Sequence, residues 1–127
     1  MPVTFVHIPA GSRPVYRVYG DRFSFLVTTE ESGGSYCAME VVVSPNGGPG
    51  LHVHEEADEQ FYVIDGALTY TIANHTFQAS TGDLVFIPRK TVHSIKNGDV
   101  PSRLLATFTP GDNIEQGFLS AGTLIDE

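Results

Sequence analysis

Three histidines and one glutamate, His52, His54, Glu59 and His93, have the residue types and spacing that a protein-bound divalent metal requires. His52 and His54 stand two positions apart in the run GGPGLHVHEE, and on an extended chain the side chains at i and i+2 leave the same face. Both imidazoles can then bring a nitrogen to about 2.0–2.2 Å from one ion, whereas on a helix the same spacing would aim them apart. Gly47, Gly48, Pro49 and Gly50 argue against a helix and for an irregular entry into a strand. Glu59 opens the apolar run EQFYVI, so its carboxylate can enter the same site from a neighbouring strand. His93 follows a turn at Pro88, begins another short β-type run, and completes a set of three imidazoles and one carboxylate.

That donor set selects a class of metal. Imidazole and carboxylate suit one divalent transition ion (iron, nickel, manganese, cobalt, copper or zinc), and the lack of thiolate argues against a structural zinc site. Four protein ligands on a six-coordinate ion leave two positions for small molecules, which is where metal-assisted chemistry takes place.

The chain of 127 residues fits a single domain spanning 1–127. Its formal charge of −8 and its seven scattered Lys and Arg exclude the clustered cations that nucleic acid or an anionic membrane surface would need. A lone Cys37 cannot form an internal disulfide, and no run approaches the ~20 apolar residues of a membrane span. The N-terminal MPVTFVHIPAG has neither the basic start nor the apolar core of a leader, so a cytoplasmic location is expected.

The elements that must position the tetrad are short and β-type. RPVYRVY, RFSFLVTT, YCAMEVVVS, QFYVI, ALTYTI, DLVFI, VHSIK and RLLATFT recur between turn residues at the spacing of about 8–12 residues that suits a β-sandwich or barrel. ALTYTI and TFQAS read as a hairpin around Asn74 and His75, and residues 30–36, EESGGSY, as a flexible loop. One short helix is expected over 114–121, with Asp112 or Asn113 as its cap and Gly122 as its stop.

With these residues placed, the chain resembles the cupin superfamily, whose two motifs surround the metal site of a small antiparallel barrel. The first motif, Gly-x5-His-x-His-x3–4-Glu-x6-Gly, is matched by Gly47, His52, His54, Glu59 and Gly66, with four residues rather than five after the first glycine. The second, Gly-x5-Pro-x-Gly-x2-His-x3-Asn, is matched by Gly82, Pro88, His93 and Asn97, with Lys90 in place of the glycine. Lys90 puts in doubt any need for positive φ at that turn. More loosely, the closing RLLATFTPGDNIEQGF is similar to the last strand, Pro-Gly turn and terminal helix of single-domain, quercetin-dioxygenase-like cupins. The resemblance implies an all-β, jelly-roll-like antiparallel barrel, or double-stranded β-helix, with a short C-terminal helix. It also implies that His52, His54, Glu59 and His93 hold the ion, and that Glu59 can act as a catalytic base.

If Glu59 points inward, then Phe61 and Val63 share its face and Tyr62 points out, while Met39 and Val41 alternate along their own strand toward the same pocket. Walls of this kind suit an apolar or aromatic small-molecule substrate with one polar handle on the metal. Arg89 and Lys90 stand where a rim could attract an anionic group. The leading expectation is a metal-dependent, dioxygenase-type oxidoreductase acting on a small aromatic, enol or diketone substrate. The alternatives are a non-oxidative isomerase, cyclase or decarboxylase, and a small-molecule-binding cupin without turnover. Open strand edges, which the N-terminal strands can cover, also predict a homodimer.

Overall fold

The computed structural model describes residues 4–18 and 20–124. Ten strands and one helix follow in order: β1 (Tyr16–Val18), β2 (Asp21–Val27), β3 (Cys37–Val43), β4 (Asp58–Asp65), β5 (Ala67–Ile72), β6 (His75–Ser80), β7 (Leu84–Ile87), β8 (His93–Asn97), β9 (Ser102–Thr109), α1 (Ile114–Ala121) and β10 (Thr123–Leu124). They form a seven-stranded sheet in the order β10-β1-β2-β3-β9-β4-β7 and a three-stranded sheet in the order β6-β5-β8, with every pairing antiparallel. The architecture is a jelly-roll-like pair of sheets and does not close into a continuous barrel.

Alternation puts the apolar side chains between the sheets. Phe61 and Val63 are buried while Tyr62 between them is exposed, and Phe23 and Phe25 are buried from β2. The Phe61 ring meets Tyr70 of β5 with centroids 5.6 Å apart, joining the inner face of the large sheet to that of the small one. Aromatic pairs of this kind add roughly 0.5–1.5 kcal/mol to the burial of their area. Helix α1 closes one end by packing Ile114 and Phe118 on this core, and the Phe118 ring meets Phe23 edge-on at 5.1 Å.

Several local expectations change. Only Tyr16–Val18 of RPVYRVY is a strand among the described residues. The hairpin turn is Ala73-Asn74, with Ala73 at φ 54°, and His75 already belongs to β6, where it pairs with Ile72. Residues 30–36 fold as consecutive hydrogen-bonded turns, in which Ser32 N–H donates to Thr28 O (3.1 Å) and Gly34 N–H to Thr29 O (2.8 Å). Asn113 stands at the helix N-cap in the left-handed region (φ 50°) and its side chain makes no capping hydrogen bond, while Gly122 ends the helix in extended conformation. The buried Glu115 ties α1 down from its first turn, its carboxylate accepting from Thr29 Oγ1 at 3.0 Å.

Both departures from the cupin motifs fall on left-handed residues. Lys90 has φ 67°, so the turn keeps the conformation that glycine adopts without cost. Asn46, six residues before His52, has φ 60°, and asparagine is among the few side chains that tolerate that region.

Candidate metal centre

His52 and His54 lie on an extended segment outside any named strand, contrary to the expectation of a regular strand. The segment runs along the edge of β8: Asn97 N–H donates to Gly47 O (2.8 Å), Ile95 N–H to Pro49 O (3.0 Å), and His52 and His93 form an isolated antiparallel bridge. Gly48 makes this approach possible. A Cβ there would collide with the Ile95 carbonyl, and its φ of +120° suits glycine alone. His54 is held from the other side by Lys90 N–H, which donates to its carbonyl at 2.8 Å. Glu59 is the second residue of β4, opposite Phe108 and Ile87, and His93 is the first of β8.

These elements bring one donor atom from each of His52, His54, Glu59 and His93 within 4.8 Å of one another. The imidazole centroids are 5.0 Å (His52–His54), 4.2 Å (His52–His93) and 5.7 Å (His54–His93) apart. His93 and Glu59 are buried, and His52 and His54 half-buried.

The hydrogen bonds around the rings decide which nitrogens are available. His52 Nδ1 lies 2.7 Å from Gly50 O and His93 Nδ1 2.9 Å from Thr91 O. A carbonyl can only accept, so each Nδ1 carries the hydrogen and each Nε2 keeps its lone pair in the neutral ring. Backbone anchoring of this kind fixes ring orientation for a metal. The His93 lone pair faces a carboxylate: Glu59 Oε1 is 3.2 Å from His93 Nε2, and His54 Nε2 lies 3.4 Å from the same oxygen. Acceptors this close, in a buried place, need a positive charge among them, either a proton or a metal ion. The donor chemistry therefore fits a first-row divalent ion held by three imidazoles and one carboxylate.

The titration of the metal-free tetrad has the same origin. Burial is the largest single influence on Glu59 and His93 and works against their charged forms, but the hydrogen bonds and charges around them together outweigh it: His54 and His93 hold Glu59 below the usual carboxylate range, and Glu59 with the Thr91 carbonyl holds His93 above the usual imidazole value. Burial dominates at His52 and lowers it. Burial, together with the nearby Glu59 charge, raises the Tyr70 hydroxyl, which has no hydrogen-bond partner among the described residues.

The tetrad sits at one part of a cavity of about 610 Å³ between the sheets. Met39, Val41 and Phe61 line it, as do His52, His54 and Glu59. Val63 does not; it is fully buried in the core beside the cavity. His93, the fourth donor, is buried and is not among the lining residues. Phe23, Phe108 and Phe118 are wall residues that the sequence reading did not single out, and the Phe108 ring lies edge-on to His54 at 5.1 Å. Neither Arg89 nor Lys90 reaches the cavity. Arg89 is engaged with Asp58, its backbone N–H and Nε donating to Oδ1 at 2.9 and 3.2 Å. This pairing also turns Asp58 away from the metal site, leaving Glu59 as its carboxylate. His7 and His75 lie outside the tetrad.

With fold and site in place, comparison with known proteins assigns the class. Residues 39–108 match the Cupin domain family model, and the chain belongs to the cupin family. It is 38% identical over 61 residues to an uncharacterized protein of Methanocaldococcus jannaschii, an alignment covering 47% of this chain and 49% of that one. It is 31% identical over 75 residues to the quercetin 2,3-dioxygenase of Bacillus subtilis, covering 56% of this chain and 22% of that enzyme. The chain therefore spans half or less of the length of these relatives. Among solved structures, the polyketide cyclase RemF from Streptomyces resistomycificus superposes with a TM-score of 0.72 at 21% identity, over 84% of this chain and 80% of that one, a likeness of fold. No helix among the described residues is long and apolar enough to cross a membrane.

Proposed function

We propose that the protein is a metal-dependent cupin enzyme of the dioxygenase type, acting on a small aromatic, enol or diketone substrate. The observation that carries this reading is the placement of His52, His54 and Glu59 of the tetrad in the wall of a largely apolar cavity whose lining contains no Lys or Arg. A substrate with a carboxylate or phosphate away from the metal would find no cation to compensate it there, and burying an unpaired charge is costly. A phenol or enol loses its proton only where it meets the site, and its apolar body suits Met39, Val41 and Phe61. The similarity to a quercetin 2,3-dioxygenase supports the same substrate class.

His52, His54, Glu59 and His93 would hold the ion. When bound, it would supply a Lewis-acid centre with open positions that polarises a substrate oxygen. Glu59 would accept the enol or phenol proton at Oε1, while His52 and His93, each anchored through Nδ1–H to a backbone carbonyl, would keep Nε2 directed at the ion.

Metal analysis of protein purified without chelator, followed by oxygen uptake with a panel of flavonols and β-diketones, tests this reading. Oxygen consumption stoichiometric with substrate loss is expected, and turnover that runs unchanged without oxygen would overturn it. That second result would favour a non-oxidative metal-dependent isomerase, cyclase or decarboxylase, which needs a polarised substrate oxygen and a base but no oxidant.

A further inference from the structure

β2 carries a carboxylate where its alternation calls for an apolar side chain. Phe23 and Phe25 point into the core, and Asp21 has their parity, lies half-buried and lines the same cavity as the tetrad. Its Oδ1 accepts from Ser44 N–H and Ser44 Oγ, both at 3.0 Å. Its Oδ2 has no hydrogen-bond partner among the described residues.

Sheet register places Asp21 at the far end of the cavity. Glu59 pairs with Phe108 and Phe108 with Cys37, so the tetrad is level with the first residue of β3. Arg22 pairs with Val42, which puts Asp21 level with Val43, the last residue of that strand. Six residues of strand amount to about 20 Å. After subtracting the reach of both side chains, a metal bond and a hydrogen bond, roughly 10 Å is left for a ligand, the length of two linked ring systems. The walls between the two ends are aromatic and aliphatic, so they add area without polar selectivity.

Resting on the metal-centred reading above, we propose that Asp21 is a specificity residue. It accepts a hydrogen bond from a hydroxyl or amino group at the end of an elongated aromatic ligand opposite the metal-bound oxygen, and it repels ligands with an anion at that end. A hydrogen bond to a charged acceptor in a half-buried site is worth more than one to water, whereas a second carboxylate beside Asp21 would be repelled with no cation in the lining to offset it.

Three congeners with one metal-facing end test this: 3-hydroxyflavone and its 4′-hydroxy and 4′-carboxy derivatives, titrated calorimetrically into metal-loaded protein. In the wild type the 4′-hydroxy compound should bind about tenfold or more tighter than the parent, and the 4′-carboxy compound about tenfold or more weaker. Equal affinities for the three overturn the proposal without any variant. Asp21→Asn keeps an oxygen for the Ser44 donors while removing the charge. Measured relative to the parent compound in the same variant, it should bring the hydroxyl preference to within a fewfold and relieve the carboxylate penalty, and an unchanged order would overturn the proposal. Failure of the underlying reading looks different: in that case the parent itself does not bind, or binds His52→Ala as well as the wild type, and the two-ended ligand is overturned with it.

Discussion

His52 and His93 exchange both of their backbone hydrogen bonds, His52 N–H to His93 O at 3.0 Å and His93 N–H to His52 O at 2.9 Å. Two ligands 41 positions apart in the chain are thus a directly paired couple, and their ring centroids come within 4.2 Å. The backbone bridge does not depend on the side chains. His52→Ala and His93→Ala are therefore expected to keep the fold while losing metal affinity by at least ~100-fold, more than the loss that follows from removing a supporting hydrogen bond. Metal titration followed by circular dichroism checks this, with His75→Ala as a control of unchanged affinity. Retained stoichiometric metal in either ligand variant would count against the tetrad.

The Glu59–His93 pair gives the metal-free protein a signature in pH. A group whose folded pKa is raised contributes stability that is complete below its unfolded value, here 6.5, and is lost as pH rises through the folded value. Glu59 is lowered, so its contribution is present above 4.5 and is lost as pH falls through its folded value. Glu59→Gln removes the charge that raises His93 and leaves the burial that lowers it. The stability difference between wild type and Glu59→Gln, measured by denaturant unfolding without metal, should be larger at pH 5.5 than at pH 8. A difference that grows with pH would contradict the pairing. In the metal-bound direction the sign reverses: an ion must displace the proton, so apparent affinity should begin to fall while pH is still above 6.5.

The tetrad was legible in the sequence because ligand chemistry demands particular residue types at short spacings, and i, i+2 geometry holds for any extended chain, whether or not it is paired in a ladder. The same alternation put Phe61 inside and Tyr62 outside. Less could be read where backbone rather than side chain carries the signal. Gly47 looks one position late and Lys90 looks like a broken motif position until the φ angles of Asn46 and Lys90 show that a left-handed residue stands at both motif places. Val63 has the right parity for the pocket, but parity cannot distinguish a wall from the core beside it. Asp21 follows the alternation of RFSF one step back, but only the register across β3 shows how far it lies from Glu59.

Lys90 holds a left-handed turn whose N–H grips the carbonyl of the ligand His54. A non-glycine residue pays about 1–2 kcal/mol in that region, and the greater flexibility of glycine in the unfolded chain takes back roughly 0.5–1 kcal/mol. The Lys90 side chain is exposed, so little else is lost with it. Lys90→Gly should be more stable by about 0.5–1 kcal/mol, Lys90→Val should be less stable, and metal affinity should not change for Lys90→Gly. Thermal unfolding and metal titration of the pair provide the check, and a stabilising valine would show that the turn does not hold this conformation in solution.

Asn97 joins the metal-bearing strand to the segment that leads into His52. The two hydrogens of its buried amide are shared among three carbonyls, Val43 O (3.1 Å), Ser44 O (3.0 Å) and Val100 O (2.9 Å), and its Oδ1 accepts from the fully buried Ser102 Oγ at 2.7 Å. No other common side chain of that size offers two donors and an acceptor together. An aspartate in its place would present acceptors to acceptors, and alanine would leave the hydroxyl and the carbonyls without partners. A net contribution of about 1 kcal/mol per bond, plus the desolvation of groups left unpaired, puts the cost of Asn97→Ala at about 2–4 kcal/mol. Asn97→Asp should cost at least as much at neutral pH and recover in part as the carboxyl protonates and becomes a donor. Denaturant unfolding of the two variants at pH 7 and pH 4.5, each referred to wild type at the same pH, measures both effects. An aspartate variant equal to wild type at pH 7 would mean that the three carbonyls are satisfied by other groups, and that Asn97 fills space without ordering the approach to His52.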